Sequence, residues 1–194
     1  MPYSRLMNRL SPWSRLPTAI LGALLWAMSQ ILAAADSASL EQRIKAAYLY
    51  NFAGYVEWPS PLFASPQSPI TIGIIGSDSI AAELTQVAVG RTVQGRPVAV
   101  SQLAHRDALT GVHIIFVAAD AAVSIKALTQ AAMPRSILVV TETPHSLASG
   151  SIINFVVTER GVRFEIALDT ADKSNLRLSS RLLSVAQSVR TGAH

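Results

Sequence analysis

The sequence predicts an α/β domain: a layered fold with a central, mostly parallel sheet flanked by helices and a C-terminal antiparallel β-hairpin. Three observations predict it. Short, almost wholly apolar runs such as VHIIFVA (112–118) alternate with helical patterns, as strands buried on both faces require. The stretch ITIGIIGSDS (70–79) contains a strand, a glycine turn and a Ser/Asp cap, the opening of a βα unit. Near the end, VRFEIALD alternates apolar with charged or small residues, the period of a strand with one covered face.

The domain is expected to begin only after a leader. Arg5, Arg9 and Arg15 precede an apolar run over residues 19–32, and Ala33, Ala34 and Ala35 stand before Asp36, the three-part pattern of a secretory signal peptide. Residues 1–35 are therefore read as a cleaved signal and 36–194 as one exported α/β domain, periplasmic in a Gram-negative host. The leader holds three of the 16 Lys plus Arg and no acidic residue, which leaves 13 against 12 and a mature net charge of +1. Such balance argues against nucleic acid as a partner, because a nucleic-acid surface needs a basic stripe. With no cysteine in the chain, thiolate metal sites, cysteine nucleophiles and disulfides are excluded.

A helix is expected over residues 40–55, with Ser37 to Ser39 as N-cap candidates. Leu40, Ile44, Ala47, Tyr48 and Phe52 would form its core stripe, with Glu41, Arg43 and Lys45 mainly elsewhere. Pro59 and Pro61 forbid its continuation, and the Pro/Ser-rich residues 60–69 read as a surface loop. A strand over 70–76, a helix over 79–89 and, after the turn in GRTVQGRP, a strand over 98–103 follow. Next come the 112–118 strand, a helix over 121–132 and a strand over 137–141. Runs 152–157 and 162–168, joined by TERG, form the hairpin, with Gly161 supplying a backbone conformation that other residues resist. A final helix over 180–190 would turn Leu182, Leu183, Val185, Ala186 and Val189 toward the body.

Catalytic chemistry finds little support. GIIGSDS lacks the spacing of a dinucleotide fingerprint and the Lys of a P-loop, so it reads as an ordinary strand-to-helix turn capped by Ser77 or Asp78. The histidines at 105, 113, 145 and 194 have no metal-ligand spacing, and His113, inside an apolar run, reads as a hydrogen-bonded core residue. No nucleophile elbow is present. No catalytic residue, cofactor or metal is therefore assigned. Arg163 and Glu165 share the polar face of the hairpin strand about 7 Å apart by strand rise. They form either a clamp for charged groups of a ligand or partner, or a solvated ion pair worth little. The aromatic stretch KAAYLYNFAGYVEWP (45–59) divides similarly. Tyr48 and Phe52 continue the helix stripe, whereas Tyr50, Tyr55 and Trp58 either cover the core's edge or form a patch for a protein partner.

Three blocks resemble the YfiR-like periplasmic proteins: KAAYLYNFAGYVEWP, then IGIIGSD with GRPVAV, then GSIINFVVTERGVRFEIALDTADKSNLRLSSRLLSVA. The resemblance implies regulation rather than catalysis. Such a protein binds the periplasmic sensor region of an inner-membrane diguanylate cyclase and represses it, lowering cyclic di-GMP and biofilm formation. It is itself sequestered by an outer-membrane, peptidoglycan-associated lipoprotein and forms homodimers. By the same likeness, Glu165 in FEI falls in a region implicated in partner binding and Arg177 in LRLSS in one implicated in small-ligand binding. Tyr55, Trp58, Arg163 and Glu165 are thus the partner-binding candidates and Arg177 the ligand-binding candidate. YfiR itself carries cysteines whose disulfides support its fold and redox response, so the resemblance does not extend here to redox control. The alternative is a periplasmic small-ligand-binding module serving another membrane signalling or transport partner.

Overall fold

The computed structural model describes residues 37–104 and 107–192. The expected signal peptide, His105 and His194 lie outside these residues. The chain divides into two units, 1–39 and 40–194, and the fold below is that of the second.

Helix α1 runs to residue 55, with residues 37–39 already helical, so its cap does not lie at Ser37 to Ser39. The buried stripe is Ala46, Leu49, Phe52 and Ala53, ending on Val56. This shifts the expected phase: Leu40 is 56% exposed, Ile44, Ala47 and Tyr48 are half-buried, and Lys45 is buried. Phe52 is the largest side chain of this stripe, 1% exposed, and three other rings surround it. Its ring centroid is 5.9 Å from Tyr48, 5.8 Å from Phe155 and 5.1 Å from Phe164, separations at which aromatic pairs attract beyond simple burial.

After β1 (Val56–Glu57), prolines and serines form a short 3-10 turn at Ser60–Leu62 and a loop. The chain then enters the sheet at β2 (Ile70–Ile75). Gly76 makes the turn at φ +84, where an added Cβ would come within 2.7 Å of Ala121 Cβ. Ser77 caps α2 (Asp78–Ala88) by accepting the Ile80 N–H. Gln94 and Gly95, both at positive φ, turn β3 (Thr92–Val93) into β4 (Arg96–Gln102), as tight hairpins favour. Strand β5 (Ile114–Val117) follows. Ser124 then caps α3 (Ile125–Ala132), which starts four residues later than its periodicity indicated. Strands β6 (Leu138–Thr141), β7 (Ile153–Thr158) and β8 (Gly161–Ala167) come next.

The expected final helix is corrected. Leu168 opens α4 (Leu168–Lys173), β9 (Arg177–Leu178) pairs with β1, and α5 covers only Ser180–Val185. At Ala186 the backbone turns extended (ψ 144), and β10 (Ser188–Arg190) lies parallel to β8. Backbone pairing along the outer side of β8 satisfies groups that a longer surface helix would leave on an open edge. Consequently Leu182 alone of the five expected contacts is fully buried, while Val185 is 59% exposed.

The eight-stranded sheet has the order β10-β8-β7-β6-β5-β2-β4-β3. Strands β4, β2, β5, β6 and β7 are mutually parallel, and β7 and β8 form the antiparallel hairpin. One face packs on α1 and α2 through Ile72, Ile74, Phe116 and Val140. The other packs on α3 through Ile75, Ile115, Val117 and Val139. The layered, mostly parallel architecture with helices on both faces is thus the observed one. Among the described residues no helix is long and apolar enough to cross a membrane.

Candidate functional site

The carboxyl ends of β5 and β6 open into a cleft of about 540 Å³, the position where α/β sheets hold ligands. Its geometry follows from β6 ending early. Glu142, directly after β6, accepts the Ala119 N–H just beyond β5 at 2.9 Å and also accepts a hydrogen bond from Lys45 of α1. Lys45 donates equally to Glu41, one turn earlier. Its side chain is 7% exposed. Burial opposes its charge, but hydrogen bonds to Glu142 and Glu41 outweigh that and raise its pKa above the ordinary 10.5. The pair ties α1 to the sheet and borders the cleft with fixed charge.

Below the cleft lies a buried polar network. Asn154 Oδ1 accepts from the hydroxyls of Thr141 at 2.9 Å and Ser146 at 2.8 Å, and Thr141 also reaches Ser151 at 3.1 Å. Opposite Asn154 in the ladder stands Glu165. It accepts from Ser188 Oγ at 3.1 Å and faces the Arg190 guanidinium at 3.6 Å. The cation beside Glu165 is therefore Arg190 from β10 rather than Arg163. Exposed Arg163 instead borders a shallow groove with Arg160, Val185 and Gln187.

Tyr55, Trp58 and Arg177 gather elsewhere, around the β1–β9 ribbon. Ser179 N–H donates to the Tyr55 carbonyl at 2.9 Å, and Arg177 pairs in register with Glu57. Tyr55 and Trp58 are half-buried against the core, whereas Arg177 is exposed. Trp58 meets the edge of His113 at 6.0 Å, His113 stacks on Phe63 at 4.6 Å, and the Arg96 guanidinium lies 3.9 Å over Phe63. The indole N–H of Trp58 is buried without a hydrogen-bond partner among the described residues. Tyr50, off the core stripe, donates its hydroxyl to the Thr92 carbonyl at 3.3 Å.

His113 is a hydrogen-bonded core residue, as its apolar surroundings implied. Its Nδ1 accepts the Thr71 N–H at 3.1 Å. Burial, and secondarily the Arg96 charge, lower its pKa below 6.5. A proton there opposes the fold, so stability is full above 6.5 and declines as pH falls from 6.5 toward the lower folded-state value. NMR titration should give a His113 midpoint below 6.5, and His113→Gln should remove that component of the acid-side loss.

Sequence reasoning missed Lys45, Glu142 and Asn154. The first had a readable signal in Glu41 four residues before it, a favourable helical pair. Asn154 was the single polar residue in IINFVV, where an unsatisfied amide would be costly. Glu142 carried no local signal, because its partners come from α1 and from the loop after β5.

Comparison with known proteins brings one family forward. A model described as YfiR/HmsC-like matches residues 42–187. No curated protein matches the chain. A solved structure of a conserved domain protein from Vibrio cholerae O1 biovar El Tor str. N16961 is similar at 12% identity and a TM-score of 0.45. That alignment covers 62% of this chain and 54% of the other, little more than half its length. The family match takes in α1 from residue 42 onward, every described strand but β10, and the cleft residues Lys45, Glu142, Asn154 and Glu165. The chain belongs to the YfiR/HmsC-like family.

Proposed function

We propose that the protein is a periplasmic regulator that binds the periplasmic sensor region of an inner-membrane diguanylate cyclase and represses it. Cyclic di-GMP and biofilm formation fall as a result. The observation that carries this reading is the family match across residues 42–187, since YfiR-like membership suggests a periplasmic regulator of cyclic di-GMP signalling rather than a catalyst. Repression needs only differential affinity. A protein that binds the inactive state of the cyclase more tightly than the active one shifts that equilibrium by the ratio of the two affinities. An outer-membrane, peptidoglycan-associated lipoprotein that competes for the regulator would release the cyclase, and a homodimer would present the binding face twice.

Arg163 and Glu165 on β8 are proposed as one part of the partner surface, and Tyr55 and Trp58 as another. Ser188 donates a hydrogen bond to the Glu165 carboxylate at 3.1 Å, which lowers the entropy cost of a partner's charged contact. Purified Glu165→Lys should lose affinity for the sensor region about tenfold or more while melting cooperatively, because a like charge replaces a complementary one. Trp58→Ala should weaken capture as well. Unchanged affinity in both variants, measured by titration calorimetry, would remove these residues from the interface.

A second reading, a module for a small ligand contacted by Arg177, draws on the exposure of that residue, opposite Glu57 in the β1–β9 ribbon. A native-state ligand raises the melting temperature by mass action. A thermal-shift response to a carboxylate-bearing compound that disappears in Arg177→Ala would favour it.

A further inference from the structure

The hairpin overruns the sheet. Strand β6 pairs with β7 only through Val140↔Ile153 and Thr141↔Asn154, yet β7 continues to Thr158. From Phe155 onward, the β6 side of β7 has no strand partner among the described residues. Backbone direction along β7 follows from its ladder with β8. Ala167 N–H donates to the Ile152 carbonyl at 2.9 Å, while the Ile152 N–H still donates to the Val139 carbonyl on the β6 side at 3.0 Å; by the same ladder, residues 154, 156 and 158 direct their peptide groups to β8. Phe155 and Val157 direct theirs the other way, into the cleft that Phe155, Val156 and Val157 border. Val157 is also 57% exposed, an apolar side chain on an open edge, which proteins ordinarily protect.

A second observation points into the same space. Asn154 is 5% exposed and borders the cleft. Its oxygen is engaged by the Thr141 and Ser146 hydroxyls, so the group it can offer a ligand is its amide nitrogen, a double donor. Around the rim, Glu41, Glu142 and Glu165 outnumber Lys45 and Arg190. Lys45 balances only one of its two carboxylates, which leaves the rim one net negative charge, and Arg190 is 58% exposed and only loosely paired.

We propose that this cleft is a docking site for an extended, basic peptide segment of the partner protein, which adds as a strand to the open edge of β7. The segment's backbone takes the Val157 N–H and carbonyl, one of its carbonyls takes the Asn154 amide, and a Lys or Arg side chain displaces Arg190 from Glu165. Main-chain pairing of this kind supplies affinity while side-chain pockets supply choice of partner. The proposal rests on the partner-binding reading above and names the segment of the partner that the regulator holds. A second copy of this chain fits less well. Its own β7 edge carries the same excess of carboxylates, and like charges would be brought together.

Val157→Pro tests it, because proline deletes the N–H aimed at the cleft without removing a bond to β8, and edge strands tolerate it. The probes are overlapping synthetic peptides tiling the periplasmic regions of the host's inner-membrane diguanylate cyclases, alongside those regions intact. The expected result is that a Lys- or Arg-bearing peptide binds the exported protein, slows amide exchange of Val157, and binds Val157→Pro about tenfold more weakly or worse. Glu165→Gln, which keeps shape and removes charge, should weaken the same peptide. Melting temperature and the wild-type far-UV spectrum confirm that each variant folds. Peptide binding that leaves Val157 exchange and Val157→Pro affinity unchanged overturns the proposal, as does capture of an intact sensor region with no peptide bound; the regulator reading survives both. A dimer that Val157→Pro dissolves overturns it in favour of self-association. Failure of every intact sensor region to bind removes the regulator reading and this site together.

Discussion

Replacing Lys45 with Met will lower the stability of the domain by about 3 kcal/mol at pH 7, the lower part of the range for breaking a buried ion pair by removing one partner. The lower part applies because Glu41 is about a third exposed, while Glu142 is only 15% exposed and keeps its charge out of water with no cation beside it. Methionine fills nearly the same space, so the loss reports charge rather than a cavity. Urea unfolding should register it as a drop in midpoint at unchanged slope. A companion pH series separates this account from a generic packing defect. Because the folded-state pKa of Lys45 is raised above 10.5, its contribution is complete below 10.5 and is lost as pH climbs through the folded value. The wild type should show that alkaline decline, and Lys45→Met should lack it. A double variant, Lys45→Met with Glu142→Gln, should recover part of the loss, since neutralising the orphaned carboxylate removes the penalty.

Phe52→Ala should cost about 3–5 kcal/mol, the usual range for an aromatic deletion in a core that cannot collapse. The ring is 1% exposed, and Tyr48, Phe155 and Phe164 enclose it from α1 and from both strands of the hairpin. It therefore couples the first helix to the segment that bears Glu165. Leu40→Ala, at a residue more than half exposed, should stay within about 0.5 kcal/mol. Chemical denaturation of the two variants decides the phase of α1: a larger loss at Leu40 than at Phe52 would contradict the structure.

The fold was legible wherever one local period had one explanation. VRFEIA alternates because Val162, Phe164 and Ile166 face α1 while Arg163 and Glu165 do not, and the buried runs at 114–117 and 138–141 have no other use in a chain this size. Legibility failed where two readings share a spacing. SRLLSVAQSVR repeats apolar residues at helical intervals, yet the open side of β8 draws its last residues into a strand. Nothing within that segment encodes the presence of that edge. In α1 the stripe through Leu40, Ile44 and Tyr48 and the true stripe through Ala46, Leu49 and Ala53 differ by one position. Small alanines had hidden the second from a count of bulky side chains.

The site was legible in its parts and not in its assembly. Glu165 and Arg163 stood out as charge on a strand, but the cation that meets Glu165 is Arg190, from a strand that the sequence disguised as helix. Tyr55 and Trp58 belonged to a visible aromatic cluster. That they frame the β1–β9 ribbon with Arg177, apart from β8, required a two-residue pairing that no periodicity carries. Asn154 and Glu142 acquire meaning only when β5, β6 and β7 lie side by side, because the strands' unequal lengths create the cleft.

The role proposed for this protein is that of a brake on a membrane cyclase, acting from the periplasm. Intracellular cyclic di-GMP, measured in a strain lacking the gene, in its parent and in strains complemented with exported or leaderless protein, tests it most directly. A brake of this kind gives a rise on deletion that only the exported form reverses. An unchanged level, or reversal by the leaderless form, would contradict it.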